Sequence, residues 1–201
     1  VRAYAAGDSP RWIHWKATAR RGSLQTKVFE PSASRTSALF LDLRTAPLGQ
    51  PGIIPEYLEL GVTAAASIAR YILDQRQAVG LYINGSRRGQ WSLVRVAPSR
   101  RPSQWVEILD ALARVIDLAA ISLPDLIRAE MPTLPFGVGV IAISCNVAED
   151  LATALMDLQR QGHPVTLIAI GEQAPTDLPA EVRAYWIGGR EAYARVMQFE
   201  F

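Results

Sequence analysis

From residue 37 onward the chain alternates short apolar runs with longer amphipathic stretches, and this alternation restricts the fold more than any other feature. The apolar runs are predicted strands at 37–43, 79–84, 90–97, 137–144, 164–171 and 183–188. The amphipathic stretches are predicted helices at 56–78, 103–116, 123–131 and 146–162. Strands that lack polar alternation are typical of sheets buried on both faces. The sequence therefore predicts an α/β fold, with a mostly parallel sheet and helices on both faces.

Two local signals add detail to this fold. The turn-forming segment GSRRG separates the runs at 79–84 and 90–97, which predicts a hairpin. Asn146 precedes the last predicted helix, Glu149 follows three residues later and Gly162 stands at its end. This is the pattern of an N-cap, a capping box and a C-terminal stop.

Residues 1–36 do not follow the alternation, so we divide the chain into an irregular N-terminal arm (1–36) and an α/β domain (37–201). The arm contains GDSPRWIHWKATARRG at residues 7–22, where acidic, basic and aromatic residues are mixed. We expect its last part to form a helical turn ended by Gly22. We also expect Trp15 to be buried and to fix the arm as a structural clasp, because burying a tryptophan is strongly stabilising.

Charge and composition exclude several classes of protein. The 201 residues have a formal net charge of +2, so no strong overall field favours nucleic acids or anionic membranes. The single cysteine, Cys145, excludes an intrachain disulfide. No apolar run reaches the roughly 18 to 20 residues of a membrane-spanning helix. Since the chain opens at Val1 directly into the arm, we expect it to be part of a longer protein.

Ligand sites of open α/β sheets lie beyond the carboxyl ends of the strands, and here these ends carry no cofactor motif. No glycine-rich phosphate loop follows a strand, and no cluster of His, Cys and carboxylates has metal-ligand spacing. Cys145 ends a strand just before a helix, where a thiol can become nucleophilic. Because no base is placed to activate it, we interpret Cys145 as a packing residue.

The first 30 residues carry a long spaced pattern, Arg-x-Tyr-x-x-Gly-Asp-x-x-Arg-x-Ile-His-Trp-Lys-x-Thr-Ala-Arg, followed by Phe-Glu. This pattern closely resembles the signature of family fifty-eight of the domains of unknown function. The matching residues are Arg2, Tyr4, Gly7, Asp8, Arg11, Ile13, His14, Trp15, Lys16, Thr18, Ala19, Arg20, Phe29 and Glu30. The resemblance implies that the rest of the chain is a von Willebrand factor A-like domain.

The resemblance also implies a function. Members of this family are typically membrane-anchored prokaryotic proteins, and many are associated with MoxR-type AAA+ ATPases in the assembly or maturation of other proteins. It implies a protein-interaction module on the cytoplasmic side of the membrane, with no established catalytic activity.

Many von Willebrand A domains bind Mg²⁺ through an Asp-x-Ser-x-Ser motif after the first strand, and this chain departs from that motif. It keeps Asp42 but has Arg44 and Ala46 in place of the two serines, with Thr45 between them. A hard cation needs several oxygen ligands, and Arg44 brings a positive charge instead. We therefore predict no metal and no cofactor, and we interpret Asp42, Arg44 and Thr45 as a partner-binding loop.

The sequence thus favours a non-enzymatic protein-interaction module, with a MoxR-type AAA+ ATPase as the expected partner. Three alternatives stay open. The same fold could bind a ligand through a metal, Cys145 could serve an enzyme, or the basic stretch 2–27 could bind nucleic acid. Acidic and basic residues are interleaved in that stretch, which favours internal pairing over a nucleic-acid surface.

Overall fold

The structure is a computed structural model that describes residues 1–5, 13–26, 36–46, 52–87, 90–176 and 178–197. The chain divides into two compact units, Val1–Ser34 and Arg35–Phe201.

In the first unit a short helix is closed by a pair of antiparallel strands. Strand β1 (Arg2–Ala3) pairs with β2 (Gln25–Thr26), and helix α1 (Trp15–Arg21) precedes β2. The helix ends at Gly22, whose φ of 67° is the left-handed conformation of a C-cap, as predicted. The described part of the arm is therefore more regular than the sequence suggested.

The second unit is a sheet with helices on both faces. Its described strands are β3 (Thr36–Leu41), β4 (Ala78–Arg87), β5 (Gln90–Ser99), β6 (Val115–Ala119), β7 (Gly139–Ser144), β8 (Val165–Ala169) and β9 (Arg183–Trp186). Its described helices are α2 (Pro55–Asp74), α3 (Gln104–Ala113), α4 (Leu123–Glu130), α5 (Glu149–Arg160) and α6 (Arg190–Met197), with a 3-10 turn at Met131–Thr133. Within the described residues, no helix combines the length and apolarity needed to cross a membrane.

The strands follow the order β5-β4-β3-β7-β8-β9, and β6 also pairs with β4. The pairs β3–β4, β3–β7, β7–β8 and β8–β9 are parallel, whereas β5 and β6 each run antiparallel to β4. In register, Leu39 lies between Leu81 and Ile141. The predicted mostly parallel sheet is confirmed, and so is the hairpin formed by β4 and β5.

Both faces of the central strand are buried. Leu39 and Leu41 belong to a core cluster that includes residues of α2 and α3, while Ala38 and Phe40 belong to a second cluster with α4 and α5. The Phe40 ring stacks on Tyr82 with 4.9 Å between ring centroids. Burial on both faces explains why the strand has no polar alternation.

One predicted helix is too long, because its last residues form a strand. Helix α3 ends at Ala113, and the β-branched Val115 and Ile116 belong to β6. β6 pairs with the far half of β4, where Gly85 faces Ala119. A Cβ on Gly85 would lie 2.3 Å from Leu43 Cδ1 and 2.8 Å from the carbonyl oxygen of Leu118. The absence of a side chain at Gly85 thus permits this close approach.

Two further helix boundaries differ from the prediction, and one helix was not predicted at all. Helix α2 ends at Asp74, because Arg76 turns with a φ of 57° and Ala78 starts β4. Helix α5 begins at Glu149 after the N-cap Ala148, so Asn146 is not its cap. The short, largely polar helix α6 was not predicted.

Candidate functional site

The strand order of the sheet reverses between its two central strands, β3 and β7. β3 continues through α2 to β4 on one side, and β7 continues through α5 to β8 on the other. The loops leaving the carboxyl ends of β3 and β7 therefore diverge, which is the arrangement in which open α/β sheets bind ligands. These loops carry residues 42–45 and 144–146. We call this end of the sheet the carboxyl edge.

The carboxylate of Asp42 is the centre of a buried hydrogen-bond network at the carboxyl edge. Its Oδ1 accepts hydrogen bonds from Asn84 Nδ2 at 2.7 Å and from the backbone N–H of Arg44 at 3.0 Å. Its Oδ2 accepts one from Ser144 Oγ at 2.8 Å. Asp42, Asn84 and Ser144 are 5%, 0% and 1% exposed. One side chain thus connects three neighbouring strands, β4, β3 and β7.

Burial raises the pKa of Asp42 above its ordinary value, because removal from water disfavours the charged carboxylate. The hydrogen bonds from Arg44, Ser144 and Asn84 oppose this rise, as does the positive charge of Arg44. A buried carboxylate without such donors would be strongly destabilising. The hydrogen bonds of the network therefore replace those that the Asp42 carboxylate would make with water.

Asn84 extends the network to the segment that follows β6. The sequence places it at a strand end, where a ligand site could lie, but assigns it no role. Its Oδ1 accepts from the backbone N–H of Leu43 at 2.9 Å, and its Nδ2 also donates to the carbonyl of Ile121 at 3.2 Å. Its own carbonyl accepts from Ala120 N at 2.7 Å. The one signal in the sequence is a polar residue at the end of an apolar run.

The structure corrects the role predicted for two residues of the partner-binding loop. Asp42 and Thr45 are only 5% and 3% exposed, so they do not present side chains to a partner. Thr45 Oγ1 instead accepts a hydrogen bond from Ile54 N at 2.6 Å, which fastens the loop to the start of α2. Arg44 is exposed. Asn146, predicted as a helix cap, donates from Nδ2 to the Arg44 carbonyl at 2.6 Å.

The oxygen donors at the carboxyl edge do not fit a Mg²⁺ ion of the kind that the resemblance implies. Both oxygens of Asp42 already accept hydrogen bonds from the protein. Ser144 occupies a place where such sites have an acid, and its Oγ also accepts from Asn146 N at 3.0 Å. Among the described residues, no group of three His, Cys, Asp or Glu side chains could hold a metal ion. Mg²⁺ requires near-octahedral oxygen ligation, which this donor set does not offer.

Cys145 lies in the same loop and is poorly suited to nucleophilic chemistry. Burial raises the pKa of its thiol to about 12, and the negative charge of Asp42 contributes to the rise. The thiolate is the reactive form, so a thiol with this pKa is almost fully protonated near neutral pH. The environment of Cys145 therefore favours the packing interpretation.

A second network at the carboxyl edge involves Glu172, which the sequence places at a strand end without assigning it a role. The exposed Glu172 follows β8, and its Oε1 accepts from Tyr57 Oη at 2.8 Å and from Arg190 N at 3.2 Å. These bonds connect the first turns of α2 and α6. Burial is the largest cause that raises the pKa of Tyr57 to about 12, and the hydrogen bond to Glu172 is the second. The same hydrogen bond is the main cause that lowers the pKa of Glu172.

The signature residues fall partly within the described chain. Arg2 lies in β1, and Tyr4 N donates to the Leu24 carbonyl at 2.9 Å. His14 is the N-cap of α1, and its Nδ1 accepts from Ala17 N at 3.1 Å. Gly7, Asp8 and Arg11 lie outside the described residues.

The outward-facing residues of α1 contradict one expectation. Trp15 is 68% exposed, so it is not buried as predicted. Lys16 and Arg20 also belong to this helix, and neither is buried. The helix is held instead by Thr18, whose Oγ1 accepts from Gln25 N at 3.0 Å. Arg21 Nη1 also donates to Gln25 Oε1 at 3.2 Å, so these side-chain contacts between α1 and β2 are polar and do not involve Trp15.

Comparison with known families gives one match that covers most of the chain. Residues 1–183 match the sequence profile of the family described as protein of unknown function DUF58. The match extends from the N-terminal signature through the sheet.

Two individual proteins are also similar to this chain, one over a short stretch of sequence and the other in its fold. The uncharacterized protein YeaD of Bacillus subtilis (strain 168) is 33% identical over 88 residues, which are 44% of this chain and 20% of YeaD. The crystal structure of the SpRpn10 VWA domain superposes with a TM-score of 0.51 at 12% identity, covering 77% of this chain and 88% of that one. At this identity the similarity establishes the von Willebrand A-like fold alone.

Proposed function

The chain belongs to the DUF58 family, and we propose that it is a protein-interaction module that binds its partner at the carboxyl edge without a metal ion. The observation that carries this proposal is the Asp42 network, in which both carboxylate oxygens are occupied by protein donors. The network stabilises the loop in one conformation. A metal ion would have to displace these hydrogen bonds, whereas a protein partner can use the loop as it stands.

We infer that the module is not an enzyme. The raised pKa of Cys145 argues against the one nucleophile suggested by the sequence. The titratable groups near it, Asp42 and Tyr57, are both engaged in hydrogen bonds with the protein. This arrangement supports a structural role for the polar groups at the carboxyl edge.

We propose that the partner is a MoxR-type AAA+ ATPase and that the module belongs to a membrane-anchored prokaryotic protein. Both parts rest on the resemblance of the N-terminal signature to the family. In the parent protein, the carboxyl edge would face the cytoplasm and the ATPase.

Binding of a purified MoxR-type ATPase tests this proposal, with two exposed arginines as a matched pair. Arg44 lies at the carboxyl edge, whereas Arg160 is 71% exposed at the last residue of α5, which ends at the opposite edge of the sheet. We expect Arg44→Glu to weaken binding at least about tenfold, because interface arginines often dominate affinity. Arg160→Glu should bind like the unchanged chain.

The contrary results are equally specific. If Arg44→Glu and Arg160→Glu both bind the ATPase as tightly as the unchanged chain, the carboxyl edge is not the interface. No binding of the unchanged chain would exclude this class of ATPase as its direct partner.

A further inference from the structure

The Arg44 guanidinium makes no salt bridge with a described residue, although its positive charge acts to lower the pKa values of Asp42 and Asp125. Among the described residues, no carboxylate lies within 4.0 Å of it. Asp125 accepts from Ser122 Oγ at 2.5 Å and pairs with Arg128, which also pairs with Asp150. Asp125 and Asp150 thus already have a cationic partner in Arg128.

The backbone that carries Arg44 is fixed on both sides. Its N–H donates to Asp42 Oδ1 at 3.0 Å, and its carbonyl accepts from Asn146 Nδ2 at 2.6 Å. The next residue, Thr45, is held by Ile54 N at 2.6 Å. Binding through the guanidinium would therefore cost side-chain entropy but little backbone ordering, which favours affinity.

Two helices also begin at this edge, and their charges limit what can bind. Helices α2 and α5 have N-caps, Ile54 and Ala148, that make no side-chain capping bond. Their first N–H groups add positive potential. The acidic residues Glu56, Glu149 and Asp150 lie in their first turns and offset it. The recognising group is therefore the guanidinium rather than a helix terminus.

We propose that Arg44 binds an Asp or Glu side chain of the protein partner, an inference that rests on the proposed function. A guanidinium donates two parallel hydrogen bonds to a carboxylate, whose planar shape it matches. One unpaired arginine beside several acids suits a single negative charge. A nucleic-acid backbone instead requires several cations that track successive phosphates.

A random twelve-residue peptide library displayed on phage provides the probe. The full 201-residue chain is immobilised, and selected peptides are resynthesised both as found and with each Asp or Glu replaced by Asn or Gln. Binding is measured to the unchanged chain, to Arg44→Gln, Arg44→Lys and Asn146→Ala at the carboxyl edge, and to the opposite-edge control Arg160→Gln. Peptides that still bind Arg44→Gln as tightly as the unchanged chain bind elsewhere on the surface.

We expect the selected peptides to contain an acid whose amide replacement weakens binding to the unchanged chain at least about tenfold. The same replacement should have almost no effect on binding to Arg44→Gln, because the two groups would form one pair. Arg44→Lys should restore binding only in part, since an ammonium lacks the planar fork. Arg160→Gln should behave like the unchanged chain.

The outcomes separate this inference from the proposed function. In one contrary result, replacing the acid of the peptide weakens binding to the unchanged chain and to Arg44→Gln by the same factor, while Asn146→Ala also weakens binding. In that case the carboxyl edge is an interface and the acidic contact is wrong. If the selected peptides bind the Arg44 and Asn146 variants as tightly as the unchanged chain, both the acidic contact and the proposed interface are overturned. The same holds if no peptide is selected.

Discussion

At the scale of single residues, the polar groups of the carboxyl edge are engaged with one another rather than with solvent. The Asp42 carboxylate receives donors from a residue 42 positions later and from another 102 positions later. Removing the Ser144 hydroxyl would take away the donor to the buried Oδ2, at a typical free-energy cost of about 1–3 kcal/mol. Arg44 is the member of this loop that can still bind a partner through its side chain.

The environment of Cys145 predicts an unreactive thiol. With a thiol pKa of about 12, the thiolate fraction at pH 8.5 is far below that of free cysteine, whose pKa is about 8.5. We expect iodoacetamide to alkylate Cys145 at least about a hundredfold more slowly than free cysteine at this pH. Mass spectrometry of the intact chain over time measures this. Rapid alkylation of the folded chain at pH 6 would contradict the packing role and favour a catalytic one.

At the scale of elements, β6 connects the chain after α3 to the carboxyl edge. It lies beside the far half of β4, and residues just after it bond to Asn84. Helical periodicity does not reveal it, because Val115 and Ile116 continue the apolar face of α3 in the sequence. Its position depends on Gly85, the point of closest approach between β4 and the loop after β3.

Replacing Gly85 should destabilise the second unit. In Gly85→Ala the new Cβ would meet Leu43 Cδ1 at 2.3 Å, so β6 or the Asp42 loop would have to shift. We expect a loss of about 1–3 kcal/mol in the free energy of unfolding, measured with urea. Gly139→Ala is the control in the same sheet, because its Cβ would meet Ser37 Oγ at an ordinary 3.7 Å. Equal effects of the two substitutions would argue against close packing at Gly85.

The first unit allows a test of what holds α1 in place. Because Trp15 is 68% exposed, Trp15→Ala should leave the exchange rate of the Gln25 amide nearly unchanged. Thr18→Val removes the oxygen that accepts from Gln25 N and should raise that rate about tenfold, corresponding to about 1.4 kcal/mol. Hydrogen exchange followed by NMR measures both. A large effect of Trp15→Ala would restore the buried-clasp interpretation.

At the scale of the whole molecule, the von Willebrand A-like fold brings the ends of parallel strands together at the carboxyl edge, where hydrogen bonds connect them. The family and the von Willebrand A-like fold account for the position of this edge. The side chains at that position decide its chemistry, since one fold can carry many kinds of site.

Divalent cations should therefore leave global stability unchanged. A ligand that binds only the folded state raises the melting temperature as its concentration exceeds its Kd. We expect about 5 mM Mg²⁺ or Mn²⁺ to shift the melting temperature by less than about 1 °C, as measured by calorimetry against a chelator-treated sample. A concentration-dependent rise that disappears in Asp42→Ala would instead establish a metal site at the carboxyl edge.

Local patterns in the sequence were sufficient to predict the mostly parallel sheet and its two-sided core. Continuous apolar runs such as 137–144 are best buried between two helical layers, and this information is contained within each run. The spaced signature likewise indicated the family from the first 30 residues alone. The helical turn ended by Gly22 was also visible locally, because only a few adjacent residues decide it.

The arrangement of the carboxyl edge, in contrast, follows from tertiary contacts. Asp42, Asn84 and Ser144 come from different strand ends, so no short window of sequence contains their contact. The exposure of Trp15 and the burial of Thr45 depend in the same way on what packs around them. Residues distant along the chain become partners when parallel strands align their ends. This alignment buries the Asp42 network and leaves the side chain of Arg44 exposed beside it.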